Sequence, residues 1–325
     1  MKGYRFGATA SLIVLFAINL ANYMDRYLVI ALQEPIRKEF KASDGEIGLL
    51  SFAFVIVYML ASPFCGYLAD RIQRRFVISS AVALWSVATA AASRAANFFP
   101  QLLGLRAAVG IGESGYNAAG QALLTDLYTD EKRNRVMAFF NLAMPVGSAL
   151  GYMLGGKLFD LFHDWRLPCL LVGAPGLVLA LVALFLPQPA PTAACAESSG
   201  HGHGGGGTKE AYLLLLKDRV FMANALGFAM QSFVLGGLAQ WAPPFLTRNH
   251  GMEVGEAAFL SGTLVVVSGL VGTVVGAFVG DAFAKRGRIT AYATVTGVGY
   301  LAAAPLLAVG LWMPEKTPAL ACLFL

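Results

Sequence analysis

Long apolar blocks separated by short polar stretches dominate the pattern of this chain. A helix needs about 20 apolar residues to cross a hydrocarbon layer roughly 30 Å thick. Blocks of about that length occupy residues 9–32, 47–69, 76–93, 98–125, 137–159, 167–187, 220–246, 257–280 and 289–313. A further block, residues 317–325, is too short to span. The pattern predicts an all-helical membrane protein with nine full spans, numbered here 1 to 9.

The longest polar stretch separates six spans from the remainder. Residues 188–219 contain several prolines, a run rich in Gly, Ser and His, and an amphipathic piece at 209–218. Gly and Ser favour a flexible linker, and an amphipathic helix of this kind is expected to lie on a membrane surface. We therefore expect a six-helix bundle at 1–187, a cytoplasmic linker at 188–219 and an incomplete second bundle at 220–325.

Composition excludes a water-soluble protein. Hydrophobic residues make up 57% of the chain and charged residues 13%, whereas soluble domains carry about 25% charged residues. The net charge of +5 is spread over short loops, so nucleic acid is not an expected partner.

The loops on the side of the N-terminus hold fourteen basic residues and the opposite loops eight, which predicts a cytoplasmic N-terminus. The short loops suggest a bacterial inner membrane.

Residues suited to metal binding or catalysis are sparse. The four cysteines show no metal-binding or redox spacing, and they are interpreted as small packing residues. His201 and His203 could hold a metal weakly, but they lie in the glycine-rich linker and are interpreted as part of it. We expect no metal and no cofactor. A membrane enzyme is disfavoured because no nucleophile and base pair lies within the spans.

A short charged pattern recurs at the inner ends of spans 2 and 8. An Asp is followed four and five residues later by two basic residues: Asp70 by Arg74 and Arg75, and Asp281 by Lys285 and Arg286. The two aspartates lie six spans apart. This spacing indicates a six-helix unit used twice in parallel, as in transporters built from two pseudo-symmetric halves.

The first of these stretches resembles a motif of the major facilitator superfamily. It reads Gly-Tyr-Leu-Ala-Asp-Arg at residues 66–71, with Arg74 and Arg75 following. Three more stretches are similar to the spinster-like branch: Asn-Tyr-Met-Asp-Arg-Tyr at 22–27, the glycine-rich run 106–116 and the run 145–156. The resemblance implies the major facilitator fold and transport by alternating access. Because members have twelve spans, the chain resembles one shortened by two to three helices.

Three ionisable residues lie well inside the predicted spans: Asp25 in span 1, and Arg106 and Glu113 in span 4. Charged groups at this depth are costly, so they usually face a cavity and serve a function. Arg106 and Glu113 are seven residues apart and therefore share one helix face. We predict that Asp25 and Glu113 both approach Arg106, which would exchange partners between them during proton coupling. The resemblance implies the same proton-coupling and head-group positions. The alternative is a static ion pair that locks spans 1 and 4 together.

Further polar and small residues in the spans admit two interpretations. One group would either line a cavity or hold helices together: Asn19, Asn22 and Arg26 in span 1, and Gln231 and Gln240 in span 7. In span 5, glycines recur at every fourth position, at Gly147, Gly151 and Gly155. This spacing is typical of close helix packing, which is favoured over a direct role in substrate binding.

Charged residues at the inner ends of the spans form a candidate gate. We expect the residues of spans 2 and 3 to meet those of spans 4 and 5: Asp70, Arg71, Arg74 and Arg75 with Asp126 and Arg135. By analogy, Asp281 would face the start of span 5, and Asp70 would face span 11, which this chain lacks. Lys285 and Arg286 belong to the same candidate gate. The resemblance implies that such a cluster stabilises the outward-open state. A solvated loop cluster of little energetic importance is the alternative.

These observations predict a secondary transporter that is coupled to protons. From the resemblance, the substrate is an amphiphile such as a lysolipid or a sphingoid compound, and the expected partners are the lipid bilayer, that small amphiphilic or anionic substrate, and protons. The protein is expected to be a monomer. Two alternatives stay open: an organic-anion or drug carrier of the same fold, and a truncated fragment that does not transport.

Overall fold

The structure is a computed structural model that describes residues 6–188, 216–285 and 291–315, together with 318, 320 and 322. Most of the predicted linker, including His201 and His203, lies outside the described residues. So does Arg286 of the predicted gate.

The described chain is built from helices, as the sequence predicts. The first half contains α1 Ala8–Ala31, α2 Gln33–Phe40, α3 Asp44–Arg71, α4 Arg74–Ala92, α5 Leu103–Leu127, α6 Asp130–Asn141, α7 Ala143–Phe162 and α8 Arg166–Ala183. The second half contains α9 Arg219–His250, α10 Val254–Ala284 and α11 Ala291–Trp312. Within the described ranges, eight helices or continuous helix pairs are long and apolar enough to cross a membrane. The remaining long helix of the described residues, α5, is not one of these eight; it carries Arg106 and Glu113.

Short connections make successive long helices antiparallel, so the bundle has two ends. We call the end at which α1 begins the N side, and the end at which α1 finishes the far side. Local chain signals set the far-side turns. Ser43 and Glu46 form a capping box at the start of α3, in which Ser43 Oγ accepts from the Glu46 amide at 3.3 Å and the Glu46 carboxylate accepts from the Ser43 amide at 2.7 Å.

Glycines bring α7 close to α1, as their spacing predicts. A Cβ atom on Gly151 would lie 2.5 Å from the carbonyl oxygen of Met24, and one on Gly147 would lie 2.7 Å from that of Leu20. Gly155 lies against the far-side end of the same helix. No larger residue fits at the first two positions without moving α1, so these glycines fix the distance between the two helices.

Small residues also form the contact between α7 of the first half and α10 of the second. A Cβ atom on Gly156 would lie 2.7 Å from Ala258 Cβ, and one on Gly262 would lie 3.1 Å from Tyr152 Cβ. Ala258 and Tyr152 are fully buried in this contact. We call this surface the α7–α10 seam.

Candidate functional site

Two ion pairs join α1 to α5 inside the bundle. Asp25 Oδ2 lies 3.6 Å from Arg106 Nη1. About two turns away along α5, Arg26 donates to Glu113 Oε2 through Nε at 3.2 Å and also through Nη2. Two adjacent residues of α1 thus pair with two different residues of α5. The acidic residue of α1 pairs with the basic residue of α5, and the basic residue of α1 pairs with the acidic residue of α5.

Burial differs between the two pairs. Asp25, Arg106 and Glu113 are 2%, 6% and 0% exposed, whereas 26% of the Arg26 side chain is accessible. The partner of Glu113 in this conformation is Arg26, so the prediction that Glu113 approaches Arg106 is corrected. Arg26, expected to line a cavity or bridge helices, belongs to the central charge cluster and is its most accessible member.

Aromatic rings surround the two guanidinium groups. The Phe54 ring of α3 lies 4.8 Å from the Arg26 guanidinium carbon and 5.1 Å from that of Arg106. Tyr23 and Tyr58 contact Arg26 at 5.2 and 5.8 Å. A cation over an aromatic face is stabilised by the negative face of the ring. The sequence interpretation missed these aromatics; the spacing of Phe54 and Tyr58, four residues apart on one face of span 2, is the signal that could have found them.

The predicted asparagines of span 1 differ in their hydrogen bonds. Asn19 donates through Nδ2 to the carbonyl oxygen of Phe140 at 3.2 Å, so it ties α1 to the end of α6. Asn22 is fully buried one turn before the ion pairs, and neither of its amide atoms has a hydrogen-bond partner in the structure. Asn19 thus bridges two helices through Nδ2, while its Oδ1 and both amide atoms of Asn22 have no hydrogen-bond partner in the structure.

In α9, the two predicted glutamines also differ. Gln231 is partly buried. Gln240 contacts the first half twice, because Ser51 Oγ donates to its side-chain oxygen at 2.6 Å and Gln33 Nε2 donates to its backbone oxygen at 3.1 Å. Gln240 thus joins the two halves toward the far side.

A cluster of charged side chains joins α9 to α2 and α3 at the far side, nearer the surface than these contacts. Arg248, near the end of α9, donates to Glu34 of α2 and to Asp44 at the start of α3, each at 2.9 Å. Arg37 also donates to Glu34, at 2.7 Å. Burial raises the pKa of Glu34, but the hydrogen bonds from Arg37 and Arg248 outweigh it, so the pKa lies below its ordinary value. We call these four residues the far-side cluster.

At the N side, the structure describes all of the predicted gate residues except Arg286. Arg74 pairs with Asp126, which joins α4 to α5 within the first half. Arg71 lies over the ring of Tyr67, its neighbour on α3, at 4.5 Å.

The remaining predicted gate residues lie near the surface. Arg75 donates to Gln73 at 2.9 Å, while Asp70, Arg135, Asp281 and Lys285 are exposed. The Arg74–Asp126 pair was expected. Arg71 and Arg75 contact residues of their own segments.

Comparisons with known proteins give a consistent result. Residues 15–325 match the family described as Major Facilitator Superfamily. Among curated relatives, "Protein spinster" of Drosophila melanogaster is 33% identical over 90% of this chain and 49% of its own length. "Protein spinster homolog 1" of Mus musculus is 34% identical over 92% of this chain and 59% of its own. The chain thus spans about half to three fifths of the length of these relatives.

Solved structures show the same similarity. A bacterial homolog of the human lysosomal transporter spinster, in an inward-facing and unoccupied conformation, matches with a TM-score of 0.81 at 28% identity. The match covers all of this chain and 72% of the other. A D-xylose-proton symporter matches with a TM-score of 0.65 at 16% identity over 83% of this chain and 68% of its own, which supports the fold alone.

Proposed function

Since the chain belongs to the Major Facilitator Superfamily and is spinster-like, we propose that it is a secondary transporter that moves an amphiphilic substrate by alternating access, coupled to protons. Spinster homologues are transporters, not enzymes, which removes the membrane-enzyme alternative. An integral membrane location follows from the apolar helices and the family. A cytoplasmic N-terminus, a bacterial inner membrane and a monomeric state are parts of the proposal.

The observation that carries the proposal is the presence of two ion pairs between α1 and α5. Four charged side chains lie between two membrane-spanning helices, and three of them are almost fully buried. Such an arrangement is costly in hydrocarbon, and breaking one partner away leaves an uncompensated charge. A carboxylate that loses its cation in this setting is best stabilised by taking up a proton. Proton binding and the rearrangement of α1 against α5 are therefore linked.

Arg26 is the proposed receptor for the substrate head group. Its guanidinium is partly accessible and bonded to Glu113. An anionic head group that binds Arg26 would replace Glu113, which would then accept a proton. In this scheme Glu113 is the proton carrier and Arg26 alternates between it and the substrate. Asp25 and Arg106 form the buried second pair that responds to the same movement of α1.

The aromatic side chains beside Arg26 support an amphiphile as substrate. Tyr23, Phe54 and Tyr58 surround the guanidinium, so an apolar tail could lie against rings while an acidic head meets the charge. A lysolipid or a sphingoid phosphate has this chemistry. The second candidate is an organic-anion or drug carrier, in which the same arginine would bind a carboxylate. Binding measurements with a lysophospholipid and with small carboxylates separate the two.

Uptake into proteoliposomes tests proton coupling. We expect lysophospholipid uptake by the unaltered chain to depend on an imposed pH gradient, and Glu113→Gln to lose that dependence because an amide cannot exchange a proton. Asp25→Asn should weaken the dependence. Glu39→Gln is the matched control, since Glu39 pairs with Arg166 and not with a member of the α1–α5 ion pairs. Proton dependence that survives in Glu113→Gln would refute the assignment. Substrate binding without any uptake by the unaltered chain would instead support a non-transporting fragment.

A further inference from the structure

Helix α9 contains two consecutive buried prolines, Pro243 and Pro244, inside its helical span. Proline has no amide hydrogen, so the carbonyl group four residues earlier in a helix receives no helical donor. In α9 these carbonyls belong to Ala239 and Gln240. The proline pair therefore leaves two adjacent backbone acceptors open in the middle of a membrane helix.

Both open acceptors are filled by side chains of the first half. Tyr152 of α7 donates through its hydroxyl to the Ala239 oxygen at 2.6 Å. Gln33 of α2 donates through Nε2 to the Gln240 oxygen at 3.1 Å. Tyr152 is 0% and Gln33 is 2% exposed, so water does not compete for these bonds. A buried carbonyl without a donor is unfavourable, and in hydrocarbon every backbone polar group needs a partner.

We propose that the Pro243–Pro244 step is a gate element, in which two proline-freed carbonyls of α9 are the docking points that hold the far side closed. Gln33 and Tyr152 are its gating residues. Because α2 and α7 belong to the first half and α9 to the second, separating the halves at the far side breaks both bonds at once. The inference builds on the alternating access of the proposed function and identifies what holds one of its end states.

The side chain of Gln240 strengthens the same contact. Ser51 of α3 donates to it at 2.6 Å, so three elements of the first half reach one short stretch of α9. Within the described residues, these bonds lie deeper in the bundle than the far-side cluster around Arg248. The gate thus has a buried, neutral layer of hydrogen bonds beneath an ionic layer at the surface.

The gate is tested by the distance between spin labels on the two halves. Lys38→Cys and Glu253→Cys place labels on exposed positions of α2 and of the connection before α10, with Cys195 and Cys322 replaced by Ser. The purified chain is measured in lipid nanodiscs. Losing one net hydrogen bond changes an equilibrium by roughly two- to tenfold, so Tyr152→Phe should raise the ratio of far-side-open to far-side-closed molecules by that factor. Gln33→Leu should act in the same direction.

Tyr116→Phe is the matched control. Tyr116 is also fully buried and donates to a backbone oxygen, that of Leu15, at 2.7 Å, but both residues belong to the first half. Its loss should leave the open-to-closed ratio unchanged. If Tyr152→Phe and Gln33→Leu leave the ratio unchanged, or shift it no more than Tyr116→Phe does, the gate is overturned.

The role of proline has its own test in a double-mutant cycle. Pro243→Ala restores an amide that can donate to Ala239 within the helix, so this oxygen no longer depends on Tyr152. We expect Tyr152→Phe to shift the ratio less in the Pro243→Ala background than alone. Equal shifts in both backgrounds would overturn the proline part of the inference. The labels need neither substrate nor a pH gradient, so these outcomes are separate from the uptake assays that test the proposed function.

Discussion

At the scale of single residues, the decisive feature is the exchange of partners between α1 and α5. Adjacent residues on a helix point about 100° apart, so Asp25 and Arg26 cannot face the same side of α1. Each meets the α5 side chain of opposite charge that lies in its own direction. The cluster is therefore two pairs with Phe54 between the guanidinium groups, rather than one arginine with two acids.

The sequence was sufficient to predict which residues are charged at depth, but not how they pair. Asp25, Arg106 and Glu113 were identifiable because ions inside apolar spans are rare. Arg26 was assigned to a lesser role because pairing depends on the rotation of α1 against α5. That rotation is fixed by contacts of α1 with a third helix, α7, which the local pattern does not encode.

Arg26→Lys tests the head-group role at this scale. A lysine is a point charge without the planar fork that donates twice and lies over Phe54. We expect affinity for an anionic lysophospholipid to fall about tenfold, corresponding to roughly 1.4 kcal/mol, the lower range for a charged hydrogen bond. Equilibrium binding to the purified protein measures the change. Arg166→Lys, which alters a surface pair with Glu39, is the control, and equal losses in the two variants would contradict the role.

At the scale of helices, the glycine repeat of α7 was predictable from its four-residue spacing, and the structure places it against α1. The partner helix was not predictable, because a small face fits any neighbour that comes close. The same glycines also explain how α1 is held at its rotation. Gly147 and Gly151 contact the backbone next to Tyr23 and Met24, directly before the charged pair of α1.

Gly151→Ala should destabilise the protein, because its methyl group would meet the Met24 oxygen at 2.5 Å. Overpacking of this kind costs about 1–3 kcal/mol. Thermal unfolding in detergent should show a lower midpoint. Gly104→Ala in α5 is the control: no atom lies within 4 Å of its added methyl group, and Ala is the better helix former, so its midpoint should stay or rise. A midpoint for Gly151→Ala at or above that of the control would contradict the packing.

At the scale of the molecule, the sequence predicted the helical membrane bundle, but not which contacts join its two halves at the far side. Closure depends on contacts such as Arg248 with Glu34, which are separated by 214 residues and belong to different halves. Among the described residues, ion pairs and hydrogen bonds join the two halves at the far side.

The far-side cluster makes closure sensitive to acid. The pKa of Glu34 is below its ordinary value of 4.5 when the cluster is formed, so the closed state gains stability above that value and loses it as pH falls through the lowered pKa. Spin-label distances between positions 38 and 253 should lengthen at low pH in the unaltered chain.

Glu34→Gln provides the comparison, because an amide cannot ionise. The acid-induced step should shrink in this variant, and Asp44 would account for what remains. Glu39→Gln should retain the full step, since Glu39 pairs with Arg166 inside the first half. An undiminished step in Glu34→Gln would show that this carboxylate does not hold the far side shut.

The α7–α10 seam has a mechanical consequence. At Gly156, Ala258 and Gly262 its surfaces present hydrogens and methyl groups with few protrusions, next to the Tyr152 side chain and the bond from the Gly255 amide to Asp160. In the proposed alternating access, one half would pivot on the other while these small residues stay in contact. The polar bonds at the ends of the bundle would then supply the resistance to this motion. Replacing Ala258 with a bulky side chain should block the motion without altering any charged residue.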